Sequence, residues 1–306
     1  MKVKASNALF IKLGSKGNWE KDCIENQNTI RLGFHNPFHK DCLTGNWNVV
    51  EKYWIKRKKT KGKATETINQ IKYFYESPIE TLWITFYNRK LYWCFAEPKV
   101  KILSDGSRIR QVKGKWSSID IKGNPLFVEN LSGRLTKVQG FRGTICSVKE
   151  FDYLLNKLNC TKQPILLETE KALSDLKEKL KPLVQSLTWK DFELLVDLIF
   201  TSSGWQRISV LGKTEKYIDI ELMSPVNSKK AFVQIKSQST LREFMDYKTD
   251  FSKMNQYDEM YYVVHTPDKK LNNIKKEKNI EVVGLDRIVD LIINAGLVNW
   301  LLKKSS

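Results

Sequence analysis

The chain has 306 residues, 52 Lys+Arg against 34 Asp+Glu, and a formal charge of +18. That length, with 41% hydrophobic residues, suits two ordinary domains with their own cores and excludes a disordered chain. No apolar run approaches the roughly 20 residues a membrane helix needs; the nearest, 289–302, is broken by Asp290, Asn294 and Asn299. The first five residues lead into a strand and lack a signal-peptide core, so the expected location is the cytoplasm. Five cysteines at scattered spacings argue against a disulfide framework.

The charge is uneven. Residues 1–150 hold 28 of the 52 basic residues and only 13 of the 34 acidic ones. An excess of this size on one half favours a polyanionic partner, most simply double-stranded DNA.

Residues 1–150 read as a basic, β-rich DNA-recognition domain. Short strands are predicted over 8–13, 29–34, 81–86 and 90–95, the last two joined by Asn88 and Arg89. Residues 47–54 start a helix or a strand, and 65–75 form a short helix. Glycines recur at Gly106, Gly114, Gly123 and Gly133. Many short strands with regular turns predict a compact β-barrel or an α+β domain.

Six of the nine tryptophans lie in this half: Trp19, Trp47, Trp54, Trp83, Trp93 and Trp116. Trp83 and Trp93 alternate with polar neighbours, which predicts one aromatic face. Core packing accounts for most such residues, but Trp19, Trp83 and Trp93 are also candidates for a pocket that stacks an extruded base. Residues 10–14 with Trp19, and 30–34, resemble PUA-like modules, the group that includes the EVE and SRA modified-base readers. The basic run of Lys56, Arg57, Lys58 and Lys59 is expected on a loop, where it would contact phosphates without sequence preference. Cys23, His35, His39 and Cys42 carry donors that suit zinc, but their spacing matches no common closed site, and scattered structural residues are the preferred reading.

Residues 151–182 have a helical pattern, punctuated by Pro164 and Pro182. They read as a helical linker between domains.

Residues 183–306 carry the chemistry. Thr188 is a plausible N-cap with Asp191 at the third helical position, and Phe192, Leu195, Val196 and Ile199 give the following helix its apolar face. Glu193 and Asp197 share another side. Residues 217–222 and 231–236 flank a Pro/Asn/Ser/Lys turn and predict a β-hairpin. Gln234 and Lys236, two apart, point to one face of their strand. Asp219 joins that face if the register allows, and Gln238 continues it towards DNA. A carboxylate and a second oxygen ligand suit Mg²⁺, and a lysine beside them can orient water at a phosphodiester. His265, at a strand end, reads as structural.

Asp219 followed by Gln234-Ile-Lys236 resembles the PD-(D/E)xK nuclease core in its QxK variant, the Mrr-type restriction endonucleases. The flanks extend the resemblance over 183–302: Phe192-Glu193 on the first helix, Gly204-Trp205 before the first strand, strands at 261–266 and 280–285, and a closing helix over 286–302. Tyr217 departs from the glycine that family members often carry there. The resemblance implies an α/β restriction-endonuclease-like domain with a central mixed sheet. It implies Asp219, Gln234 and Glu193 as metal ligands and Asp219, Gln234, Glu193 and Lys236 as the catalytic set, with Mg²⁺ as cofactor and Mn²⁺ able to substitute. The expected function is a modification-dependent, type IV-like restriction endonuclease of anti-phage defence. Alternatives are a restriction or repair nuclease without modification dependence, or an inactive nuclease fold that binds DNA. One site cuts one strand, so a homodimer is the expected assembly.

Overall fold

The computed structural model describes residues 2–208, 218–274 and 277–305. It divides between Gln163 and Pro164 into two compact units, each a mixed α/β arrangement around one open sheet. No described helix is long and apolar enough to cross a membrane.

The first unit begins with β1 (Asn7–Ile11) and β2 (Thr29–Leu32). Three helices follow: α1 (His39–Thr44), α2 (Trp47–Arg57) and α3 (Lys61–Glu76). Gly45, with φ 73°, ends α1 in the left-handed conformation that glycine adopts without strain. Next come β3 (Thr81–Tyr87), β4 (Lys90–Ile102) and β5 (Arg108–Val112). Asn88 and Arg89 both have positive φ, the two-residue turn that matches the twist of the flanking strands. The unit closes with α4 (Gly133–Thr136), β6 (Ile145–Ser147) and α5 (Phe151–Leu158).

The strand order is β2-β5-β4-β3-β1-β6. β1 lies parallel to β3, which demands a crossover rather than a hairpin, and α1, α2 and α3 lie within that crossover. These helices cover one face, burying Val50, Ile68, Ile71 and Phe74 against Leu9, Ile11 and Trp83. α5 helps cover the other face through Leu154 and Leu158. With β2 and β6 at opposite edges, the sheet is open. The β-barrel expected as one option is therefore corrected to an open mixed sheet clad by helices.

Two arginines lie fully buried in this unit. Arg108 donates to the carbonyls of Phe34, Gly106 and Asn36 and to the Tyr75 hydroxyl. Arg110 donates to the carbonyls of Glu97, Phe74, Ser77 and Ala96. Phe74 and Ser77 belong to the C-terminal end of α3, where carbonyls lack helical partners and a cation is favoured.

The second unit begins with α6 (Pro164–Gln185), which runs through Pro182. The expected linker over 151–182 is thus divided: α5 packs in the first unit, and the end of α6 packs in the second through Leu180 and Val184. Then follow α7 (Trp189–Ser202), β7 (Gln206–Arg207), β8 (Ile220–Met223), β9 (Lys230–Ser239) and α8 (Leu241–Phe251). The chain finishes with β10 (Glu259–Pro267), β11 (Ile280–Val283), α9 (Leu285–Asn294) and α10 (Val298–Lys304). The single closing helix expected over 286–302 is two helices, because Gly296 at φ 69° follows Ala295 and breaks the run.

The sheet order is β11-β10-β9-β8-β7. β9, β10 and β11 are parallel neighbours, and β8 and β7 pair antiparallel at the other side. Ala231, Val233 and Ile235 of β9 pack with α7, α9 and the end of α6. Phe232, Met260 and Tyr262 pack on the opposite face with Phe244 of α8. The candidate chemistry lies where β8 enters this sheet beside β9.

Candidate active site

The β8–β9 register pairs Ile220 with Val233, which brings Asp219 level with Gln234. The Asp219 backbone N–H donates to the Val233 carbonyl at 3.2 Å. Its carboxylate Oδ2 accepts two hydrogen bonds, from Gln234 Nε2 and from the Ile235 backbone N–H, both at 2.6 Å. One carboxylate oxygen is therefore fixed by two donors from the neighbouring strand. The expected hairpin forms, with Ser228 at φ 57° in its turn; Tyr217 lies outside the described residues.

Gln234 is 3% exposed. With Nε2 given to Asp219, its Oε1 has no hydrogen-bond partner. A buried unpaired acceptor costs about 1–3 kcal/mol, so this oxygen calls for a donor, a water or a cation.

Lys236 follows on the same face, half-buried. Its Nζ sits 5.4 Å from the centre of the Tyr247 ring on α8, in range of a cation–π attraction. Its charge reaches two carboxylates, Asp219 and Glu243, and helps to lower the pKa of each. Glu243 was not singled out in the sequence. It is the third residue of α8 and forms a capping box with Thr240, and it also accepts from Ser239 Oγ at 3.0 Å. Ser239 in turn meets the buried Tyr262 hydroxyl at 2.6 Å. The signal that could have found it is Thr240-x-x-Glu243 directly after the strand bearing Lys236, since a helix starting there returns its first turn to the strand end.

Glu193 approaches from α7. Thr188 caps this helix, accepting from the Asp191 backbone N–H at 3.2 Å, and the apolar face read from the sequence is buried. Burial pushes the Glu193 carboxyl up, the charge of Asp219 pushes it further, and Arg207 opposes both. Burial likewise raises Asp219, against the Ile235 N–H, Lys236 and Gln234, which lower it. Two carboxylates raised together are poised to bind a cation or a proton.

The donor set suits Mg²⁺. Asp219, Glu193 and the orphaned Gln234 Oε1 are hard oxygens, and Mg²⁺ commonly uses one or two carboxylates and keeps several waters. Among the described residues, no three His, Cys, Asp or Glu side chains gather into an all-protein cage. Of the four residues with donors that suit zinc, Cys23 and Cys42 are buried in the core, and His39 Nδ1 meets the Tyr75 hydroxyl at 2.9 Å.

Gln238 is exposed on β9, opposite Thr266 of β10, beyond Lys236. His265 is buried with its ring 4.8 Å from that of Phe192, its Nδ1 meets Thr266 Oγ1 at 2.9 Å, and its Nε2 has no partner among the described residues.

In the first unit the tryptophans do not make one pocket. Ile84 pairs with Trp93 and Trp83 with Cys94, so Trp83 and Trp93 point to opposite faces of the sheet. Trp83 is 0% exposed, set against Phe74 and the Arg110 guanidinium. Trp93 donates from Nε1 to the Ile119 carbonyl at 2.9 Å. Trp19 packs beside the Trp83 core with Arg31 at 4.1 Å over its ring. The expected shared aromatic face is corrected: register, which needs the partner strand, separates the two rings.

The basic run is a loop only in part. Lys56 and Arg57 end α2, Lys58 and Lys59 lie in the short connection that follows, and Thr60 caps α3. Arg57 stacks 4.4 Å from the Tyr53 ring, and the Lys58 ammonium lies 5.0 Å from the Trp54 ring. These cations lie against aromatic rings, an arrangement that reduces the conformational freedom lost on binding a phosphate.

Comparison with protein-family models, with curated proteins and with solved structures finds no match to this chain.

Proposed function

We propose that the second unit hydrolyses phosphodiester bonds in DNA with Mg²⁺, and that the basic first unit binds the duplex. The observation that carries this reading is the convergence of Asp219, Gln234 and Lys236 where β8 meets β9, with Gln234 Oε1 buried and unpartnered. The resemblance of 183–302 to Mrr-type restriction endonucleases supports the same reaction. That of the first half to base-reading modules supports dependence on a modified base, as in a restriction enzyme acting against phage DNA.

The residues divide the work. The Ile235 N–H and the Gln234 amide hold one oxygen of Asp219, which fixes the carboxylate against rotation. Gln234 Oε1 and Glu193 supply further oxygens towards the metal position. Bound Mg²⁺ would supply Lewis-acid stabilisation of charge on the phosphoryl oxygens. Lys236, steadied by the Tyr247 ring and the Glu243 charge, offers N–H donors to a phosphate oxygen and orients the attacking water.

The test is cleavage of matched plasmids, one unmodified and others carrying methylated, hydroxymethylated or glucosylated cytosine or methyladenine, with Mg²⁺ or Mn²⁺. Cutting confined to one modified substrate establishes both parts of the proposal. Equal cutting of all removes the modification dependence and leaves a nuclease. Binding with no cutting of any substrate overturns the enzymatic reading.

A further inference from the structure

Three cations of the first unit, Arg134, Lys137 and Lys149, line a cavity of about 700 Å³ beside β6, within the usual size of a small-molecule site. All three are exposed, and none takes part in an ion pair among the described residues. Glu150 is the one acid of the lining among those residues. Like charges gathered around one concavity repel each other and favour an anion there.

The rest of the lining is largely apolar. Leu135 and Val148 are buried, and Val138 and the Phe141 ring are half-buried. The segment that carries Phe141 is tied down. Lys12 Nζ donates to the Phe141 carbonyl. The buried Gln70 accepts on Oε1 from the backbone N–H groups of Thr144 and Ile145, at 2.6 and 3.0 Å. A Cβ on Gly143 would lie 2.5 Å from the Phe141 ring and 2.8 Å from Gln70 Nε2, so glycine is what lets the ring lie against the backbone. A ring fixed in advance loses little freedom when a flat partner stacks on it.

Together these features select a ligand. A phosphate monoester carries nearly two negative charges at neutral pH, against one on a carboxylate, and so matches three cations better. A purine or pyrimidine presents the flat face that an aromatic ring receives. A nucleoside phosphate joins both in one molecule. By contrast, a second cavity of the unit, about 410 Å³, is lined by Glu20 and Glu129 against Arg89, a balance that does not favour an anion.

We propose that the cavity beside β6 binds a nucleoside monophosphate, with the phosphate among Arg134, Lys137 and Lys149 and the base against Phe141. Two sources share this chemistry: a free nucleotide and the phosphorylated end of a DNA strand. The site lies wholly within the first unit and its test needs no cleavage, so it stands or falls apart from the nuclease reading.

The experiment is isothermal titration calorimetry of the full chain, without added metal, against the deoxynucleoside 5′-monophosphates, the matching nucleosides, inorganic phosphate, and a short single-stranded oligodeoxynucleotide with and without a 5′-phosphate. At least one monophosphate is expected to bind about 10-fold more tightly than its nucleoside or inorganic phosphate. Lys137→Glu/Lys149→Glu and Phe141→Leu are each expected to weaken it about 10-fold. Lys99→Glu/Lys101→Glu makes the same change of net charge at exposed residues of β4 away from the cavity, and is expected to leave binding within about twofold. Thermal melts accompany every variant; Lys137 and Lys149 are exposed, so that pair stays folded even where Phe141→Leu does not. No binding of any monophosphate up to about 1 mM overturns the proposal. So does an equal loss in the two charge-reversed pairs, or inorganic phosphate binding as tightly as the nucleotide. If the 5′-phosphorylated oligonucleotide binds more tightly than the free nucleotide and depends on Lys137 and Lys149, the site takes a strand end. The reverse preference, with the same dependence, assigns it to a free nucleotide.

Discussion

Both units bury charge, and they do so in opposite ways. In the first, Arg108 and Arg110 are fully buried, yet each guanidinium makes four hydrogen bonds to neutral oxygens. The cations pin the loop before α1 and the end of α3 to the sheet. In the second, Asp219 and Glu193 are both raised by burial and Gln234 keeps an orphaned oxygen. A satisfied buried charge stabilises the fold, whereas an incompletely satisfied one marks a place where something else binds.

The sharpest separation of the two regions is expected from Lys236→Ala. If the second unit is catalytic, the cleavage rate falls about 10³-fold while DNA affinity changes little, as read by single-turnover cleavage beside a binding titration. Parallel losses in both would make Lys236 a binding residue instead.

Arg110→Met should act on the fold alone. It strands four carbonyls and is expected to destabilise the first unit by about 3–5 kcal/mol, measured by denaturant unfolding. Should this variant unfold like the wild type, the contrast between satisfied and unsatisfied charge collapses.

Mg²⁺ sharpens the other side of the comparison. At about 100 times its Kd it should stabilise the wild type by roughly 2.7 kcal/mol and leave Asp219→Asn unmoved in a thermal-shift assay. An equal shift in both proteins would place the ion elsewhere.

A smaller effect concerns pH. The folded-state pKa values of Asp219 and Glu193 lie above their unfolded ones, so the folded state holds these protons more tightly. Their contribution to stability is greatest below the unfolded carboxylate range, about pH 4. It declines as pH rises to the raised values and is then flat. Asp105 and Asp120, each lowered to about 2, slope the other way, so the useful quantity is a difference between proteins. In metal-free urea titrations, Asp219→Asn/Glu193→Gln should lose this decline relative to the wild type.

The smallest change is expected from Lys58→Ala: DNA affinity a few-fold weaker for every sequence and a salt slope reduced by about one. A sequence-selective loss would assign Lys58 to base reading.

Much of the second unit was legible in the chain. The Thr188 cap, the apolar face of α7 and the β8–β9 hairpin follow from local rules, because capping, helical period and turn chemistry act within a few residues. The pairing of Asp219 with Gln234 was legible only as an option, since hairpin register decides it. In the first unit, 47–57 is rich in Trp, Tyr, Val and Ile, which suit a strand as well as a helix; α2 exists because that stretch packs against α3 and the sheet.

The sequence by itself determined the charge asymmetry, the hairpin and the QxK strand, all properties of residues near one another in the chain. Only the tertiary structure decided that the first sheet stays open, that Trp83 and Trp93 face apart, that Glu243 stands beside Lys236, and that the end of α6 is buried through Leu180 and Val184. Each of those depends on which strand or helix lies alongside, and such partners are chosen by contacts between residues far apart in the chain.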